Sequence, residues 1–508
     1  MRGGGKRGTN KKLFNKFKNK KLGGKMKKTF LWLLVSTLIL SLWAGFSLFG
    51  CKPIESTSET SVETIAETET AGETQAVEEE TSKEIDFTSL YEEVADLQGE
   101  EALKFFESLP SKGVKGADVI QFFIDLPISK ANEQIYKIFT DEGFAFYLDK
   151  YPKGEPYQGF QWERGMGTEI TGPMSKVKIK LPFTDYVPLP DGPVGDQNKT
   201  YKIGFTMHGF SMPWLLDMAD AALWEAGRHS NVEMKALDAE FDNAKMASHF
   251  DTFIAEGMDG ILVWPMIEAP TGPPAQRAIE AGIPVVSVDR MTGFEGVSSR
   301  VTGNFPANGA QLGMYLIWKL DQEGNLNTNM ILLRKPLGST ADSIRTGHLL
   351  KVLSYFPTIK ILQSYHDADN REEAFLNCQA ALQAYDNIDV IFGVGDQEIL
   401  AAVEAVRMAN RMNSRADNKK IIFLSIDDSK ECITNVKNGD FDVNTPYTPF
   451  VSDVGTRTLL NIIAGVEMPH NVISPNIPMV TQNGDEIFGL QTQTPDEWYQ
   501  YTYGPPIE

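Results

Sequence analysis

The chain has 508 residues, with 48 Lys and Arg against 68 Asp and Glu. The first 50 residues hold 12 of the bases and no acid, so the rest carries 36 bases against 68 acids, a balance of −32. Such a chain does not bind nucleic acid through general electrostatics, and three cysteines exclude a disulfide framework.

In chain order, residues 26–51 come first. They read Met-Lys-Lys, an uncharged and mainly apolar run from Thr29 to Gly50, then Cys51. A basic start, an apolar core and a small residue before a cysteine make a secretory signal. The ending Leu48-Phe49-Gly50-Cys51 resembles a bacterial lipobox. That resemblance implies acylation of Cys51, although Phe49 stands where a small residue is usual. Read instead as an anchor, the run is long enough to span ~30 Å of hydrocarbon as a helix. Both readings export the remaining chain and tether it to a membrane. The codons of Leu22-Gly23-Gly24-Lys25 can spell a ribosome-binding site, which makes Met26 the expected start.

Residues 51–85 follow as an acidic linker. Between 55 and 84 there are ten Glu, one Lys and no aromatic residue. This composition cannot bury enough apolar surface to fold, and its like charges extend it. Residues 86–198 begin with helical periodicity: Phe87, Leu90, Val94 and Leu97, then Leu103, Phe105, Phe106 and Leu109, then Val119, Phe122 and Phe123, then Ile135, Ile138 and Phe139. The expectation is a helical extension packed on the main domain, or else a contact surface for a partner.

From Tyr201 short apolar runs alternate with amphipathic helical windows. The runs are Ile203–Met207, Val232–Leu237, Gly260–Trp264, Pro284–Val288, Met330–Leu333, Ile359–Leu362, Val390–Phe392 and Ile421–Ile426. Alternation of this kind predicts α/β structure, with parallel sheets covered by helices on both faces. About 300 residues exceed one sheet of ordinary size, so two Rossmann-like lobes joined by a hinge are expected. Ligands then sit where the carboxyl ends of the strands face each other across a cleft.

The residues after those strands are rich in carboxylates, guanidinium groups, hydroxyls and aromatics, with no thiol cluster. Paired carboxylates and guanidiniums hydrogen-bond vicinal hydroxyls, at ~1.5–3 kcal/mol per charge-assisted bond. Aromatic faces cover the C–H side of a sugar ring. This is the chemistry of a polyol site.

Five stretches carry a resemblance to a known family. They are Pro213-Trp214, Gly257 to Val263, Ala281-Gly282-Ile283-Pro284-Val285-Val286-Ser287-Val288-Asp289-Arg290, Asp389 to Asp396, and Ile426-Asp427. Residues 200–482 resemble the type I periplasmic sugar-binding proteins, the ribose- and galactose-binding group that feeds ABC importers. The resemblance implies an N-lobe of about 199–303 and 449–470, a C-lobe of about 304–448, and a C-terminal tail at 483–508. It implies ligand contacts from Phe210, Trp214, Asp289, Arg290, Ser343, Arg345, Gly395, Asp427 and Thr448. It also implies an ABC permease as partner. Departures at Met212, at Gly395, where asparagine is usual, and at Thr448-Pro449 point away from ribose itself.

No residue is assigned a catalytic or metal-ligating role, and no cofactor is expected. There is no phosphate-loop motif, no His-Glu-x-x-His and no Gly-x-Ser-x-Gly. Three alternatives to delivery of a sugar stay open. The protein could serve a membrane sensor, bind an autoinducer, or cleave glycosides with paired carboxylates. Arg345 has an alternative partner in Asp342 on its own helix, and Cys378 and Cys432 read as small buried hydrophobes.

Overall fold

The computed structural model describes residues 85–141, 155–156 and 187–498, apart from 368, 428 and 475. The signal segment, Cys51 and the acidic linker lie outside the described residues.

Two parallel sheets form the frame. The first takes β1 (Glu155–Pro156), β2 (Tyr201–Met207), β3 (Val232–Asp238), β4 (Gly260–Trp264), β5 (Val285–Asp289), β6 (Ser299–Thr302) and β12 (Asn471–Ile473), in the order β1-β12-β6-β5-β4-β2-β3. The second takes β7 (Thr328–Arg334), β8 (Ile359–His366), β9 (Val390–Gly393), β10 (Ile422–Ile426), β11 (Val443–Thr445) and β13 (Val480–Thr481). Its order is β13-β11-β10-β9-β7-β8, with β13 antiparallel to β11 and the other pairs parallel. β4, β5, β9 and β10 are buried along their whole length. They are the continuous apolar runs expected of strands covered on both faces.

Each sheet keeps its own helices. In the first lobe, α5 (Pro213–Gly227) and α13 (Val451–Ile463) pack together, while α6 (Asn243–Glu256) and α7 (Gly272–Glu280) cover the other face. Asp242 caps α6 by accepting from Ala244 N at 2.7 Å. In the second lobe, α8 (Phe305–Gln322) lies against α9 (Thr340–Leu353), while α10 (Arg371–Ala384) and α11 (Asp396–Met408) pair with each other. α12 (Lys430–Lys437) follows β10. The chain passes between sheets three times, after β6, after β11 and after β12. This is the two-lobed, hinged α/β fold expected from the alternation.

Gly309 sets the approach of α8 to α9. A Cβ there would overlap the carbonyl oxygen of Arg345. The close crossing buries nearly all of α9, and it brings Arg345 in at the cleft end.

The N-terminal helices, α1 (Phe87–Val94), α2 (Glu100–Ser108), α3 (Ala117–Asp125) and α4 (Glu133–Asp141), share one apolar core with α8, α9 and the second sheet. Phe106 stands at 4.8 Å from Phe123, 6.0 Å from Tyr355 and 6.1 Å from Phe488. Lys351 Nζ donates to Ile124 O at 2.8 Å, and Tyr355 OH to Pro127 O at 3.1 Å. Up to Asp141, then, the extension packs on the second lobe. The stretch read as a tail after 482 holds the hairpin of β14 (Glu486–Ile487) and β15 (Leu490–Gln491), with Phe488 and Trp498 buried. Cys378 and Cys432 are buried free thiols, as expected. Among the described residues no helix is long and apolar enough to cross a membrane.

Candidate functional site

The carboxyl ends of the two sheets enclose a cavity of about 390 Å³. Three aspartates mark the strand ends there: Asp289 closes β5, Asp369 follows β8 and Asp427 follows β10. All three have positive φ, at 64°, 62° and 72°. Aspartate tolerates the left-handed region better than most side chains, and such strain gathers at functional sites.

Each aspartate is held. Asp289 accepts from Trp264 Nε1 and from Tyr447 OH, both at 2.6 Å. Burial pushes its carboxyl above the usual range, against the pull of Arg290. Asp427 accepts from Arg345 Nη2 at 2.7 Å, and Arg345 Nη1 donates to Val394 O at 3.0 Å. Asp342, the other partner considered for Arg345, instead takes two bonds from Arg334 at 3.1 and 2.6 Å. The Arg345 guanidinium also lies 4.8 Å from the Phe305 ring centroid and 5.0 Å from that of Tyr447.

Asp369 joins two cations. Arg290 Nη2 donates to Oδ2 at 2.7 Å, and Lys335 Nζ donates to Oδ1. Burial alone would push this carboxyl up, but Lys335 and Arg290 together hold it well below the usual carboxylate range. Lys335 also reaches Glu398 at 3.2 Å. Its ammonium is held above the usual lysine range because Asp369 and Glu398 outweigh the cost of burial.

The lobes meet along one rim of the cleft. Thr340 Oγ1 donates to Glu268 Oε1 at 2.6 Å and accepts from Met291 N at 2.9 Å, and Glu268 N donates to Gly338 O at 3.1 Å. With the Arg290–Asp369 bond, these contacts define a closed arrangement.

Of the residues expected to contact a ligand, Trp214, Asp289, Arg290, Arg345 and Asp427 line the cavity together. Phe210 packs half-buried against the core of the first lobe. Ser343 is buried inside α9, and Thr448 faces a separate small cavity beside Asn304 and Asn308. Gly395 offers no side chain. Tyr447 also lines the cavity, and so do Lys335 and Trp264, which the sequence did not single out. Lys335 directly follows β7, so the strand-end rule points to it, although the first residue after that strand named from the sequence is Asp342.

The lining carries five cations, Arg290, Lys335, Arg345, Arg371 and Lys430, against five carboxylates, Asp289, Asp369, Asp396, Asp427 and Glu431. That balance fits a neutral ligand rich in hydroxyls. Trp214 Nε1 is a buried donor with no hydrogen-bond partner among the described residues.

Comparison with known proteins returns the periplasmic binding protein domain over residues 203–465. A xylitol-binding protein of Mycolicibacterium smegmatis is 25% identical over 251 residues, covering 49% of this chain and 68% of that protein. A ribose import binding protein of Bacillus subtilis is 20% identical over 279 residues, covering 54% and 86%. A Mycobacterium smegmatis structure in complex with β-D-fucofuranose superposes with a TM-score of 0.51 at 21% identity, covering 56% of this chain and 91% of that one. These relatives are binding proteins, not enzymes.

Proposed function

We propose, from the premise that this chain belongs to the periplasmic binding protein family, that it captures a neutral sugar or polyol between its lobes and delivers it to an ABC permease. The observation that carries this reading is the closed cavity. Its volume of about 390 Å³ lies within the ~300–1,000 Å³ range of small-molecule sites. Its walls carry as many cations as carboxylates, and Trp214 offers a face and a free donor. Ligand binding shifts an open–closed equilibrium toward the closed form, which the permease recognises. Nothing is chemically converted.

Export and a lipid anchor at Cys51 complete the proposal. The acidic linker then works as a leash of at most ~100 Å, from ~3.3–3.6 Å per residue. It lets the two-lobed body reach a permease in the same membrane.

Calorimetry with xylitol, D-ribose, D-allose and myo-inositol tests the binding step. At least one should bind, be recovered intact after hours, and raise the melting temperature. A ligand at 100 times its dissociation constant adds about 2.7 kcal/mol. Sustained turnover of a glycoside, abolished by changing a cleft carboxylate, would overturn the reading. Mass spectrometry of the mature N-terminus tests the anchor: an unmodified Cys51 inside a longer mature chain rejects it. Liganded protein should stimulate ATP hydrolysis by its permease, and failure with every permease tried favours sensing.

A further inference from the structure

Position 395 is where the family resemblance expects a ligand-contacting side chain, and this chain has glycine there. Backbone conformation does not explain the glycine, since its φ of −154° is ordinary extended chain. Space does. A Cβ on Gly395 would lie 2.7 Å from Glu398 Oε2, 2.9 Å from Lys335 Nζ and 3.0 Å from Asp427 Oδ2. Three charged groups therefore converge on the volume that a side chain at 395 would take.

Lys335 reaches that volume from another strand. It directly follows β7, lines the cavity and is 5% exposed. Its ammonium carries three donors. Asp369 Oδ1 accepts one, and the two Glu398 oxygens, at 3.2 and 3.4 Å, share a long forked bond beside it. Both holding groups are themselves fixed: Asp369 is bonded to Arg290 across the cleft, and Glu398 is fully buried on α11.

Resting on the sugar-or-polyol reading above, we propose that Lys335 is a ligand-contacting, specificity-determining residue that replaces the missing side chain at 395. It presents a charged donor where a carboxamide would present both a donor and an acceptor. The ligand group in that corner is therefore a hydroxyl whose oxygen acts as acceptor. The neighbouring Asp427 Oδ2 is placed to take the proton of the same hydroxyl. This makes one ligand hydroxyl read from both sides.

The experiment is a cycle between the protein and the ligand. The probes are the tightest binder among xylitol, D-ribose, D-allose and myo-inositol, together with its monodeoxy analogues. They are titrated by calorimetry against the wild type and Lys335→Met. One deoxy analogue should bind the wild type about 10- to 100-fold more weakly than its parent, the worth of a charge-assisted bond. Against Lys335→Met that gap should shrink to within a few-fold, while the gaps of the other analogues stay. A purely structural role would weaken parent and all analogues alike, and that uniform loss overturns the proposal. So does unchanged affinity in the variant. Should Lys335→Met fail to fold, the double variant Lys335→Met/Glu398→Gln removes the Lys335–Glu398 pair together and leaves Asp369 its bond to Arg290; the same outcomes apply to it. A wild type that binds none of the four parents overturns the sugar-or-polyol reading itself and this inference with it. Binding by the wild type with every analogue gap kept in the variant overturns this inference alone.

Discussion

Arg290 and Asp369 stand on opposite lobes and meet at 2.7 Å, Nη2 to Oδ2, with both side chains buried. Arg290 follows β5 of the first sheet and Asp369 follows β8 of the second. The bond therefore exists only while the cleft is closed. Opening returns both charges to water, so the pair is close to energetically balanced, as buried ion pairs are against their own desolvation. A near-balanced latch suits an equilibrium that a small ligand must tip. Removing one partner is a different matter, because it leaves the other charge without compensation in the closed form.

Arg290→Ala should therefore destabilise the closed form. We expect sugar affinity to fall by roughly 2–4 kcal/mol, and small-angle scattering to report a larger radius for the variant than for the wild type at ligand concentrations that saturate the wild type. Near-wild-type affinity in a fully folded variant would remove Arg290 from both the latch and the ligand site.

Tyr447 and Trp264 hold Asp289 from two sides at 2.6 Å each. Tyr447→Phe deletes one of these bonds while keeping the ring. Bonds to a charged group are worth about 1.5–3 kcal/mol, and a loss of that size is expected in urea unfolding. Asp289→Ala should weaken ligand binding by roughly 2–4 kcal/mol through unpaired polar partners. A Tyr447→Phe variant as stable as the wild type would show that Trp264 suffices.

Trp214 lines the cavity 5.9 Å from the Tyr447 ring. Its fluorescence should change on ligand addition, with a titration midpoint matching calorimetry. Trp214→Ala should cost ~1–3 kcal/mol of binding, by analogy with aromatic stacking platforms. An unaltered emission spectrum at saturation would place the ligand away from this ring.

Gly309→Ala tests how the site is positioned. In an ordinary helix interior this change stabilises by up to about 1 kcal/mol. Here the new methyl would overlap the Arg345 carbonyl. Overpacking costs about 1–3 kcal/mol, and Arg345 moves with its helix, so ligand affinity should fall too. A stabilised variant would mean that α8 and α9 separate freely.

Asp453, on α13, is fully buried beside Arg457 at 3.1 Å, and burial pushes its carboxyl up to about 6. The fold thus favours the protonated acid. Its contribution to stability is fully present below the ordinary value of 3.8 and is lost as pH rises through about 6. The difference in unfolding free energy between wild type and Asp453→Asn should shift against the wild type by on the order of 3 kcal/mol from pH 3.5 to 7. A pH-independent difference would show that Arg457 keeps Asp453 ionised throughout.

Local pattern was enough for much of this protein. The eight apolar runs between Ile203 and Ile426 all lie in strands: those of β4, β5, β9 and β10 are buried on both faces and need consecutive apolar residues, while β3 and β8 are partly exposed sheet edges. The helical spacing of Phe106, Phe122 and Phe123 located the packed face of the extension. Strand ends are read from strands, so Asp289, Arg290 and Asp427 could be placed at the cleft from sequence. The short strands β6 and β12 were not legible: Ser299–Thr302 and Asn471–Ile473 carry little apolar signal and exist through pairing at the sheet, β6 with β5 and β12 with β6. Nor could sequence choose partners. Arg345 is three residues from Asp342 yet bonds Asp427, 82 residues away, and Asp369 draws Arg290 from 79 residues away. Periodicity records which face of an element is buried, and that is a local property. Which charges meet in a cleft depends on how two independently folded sheets are brought together, and only the tertiary structure decides that.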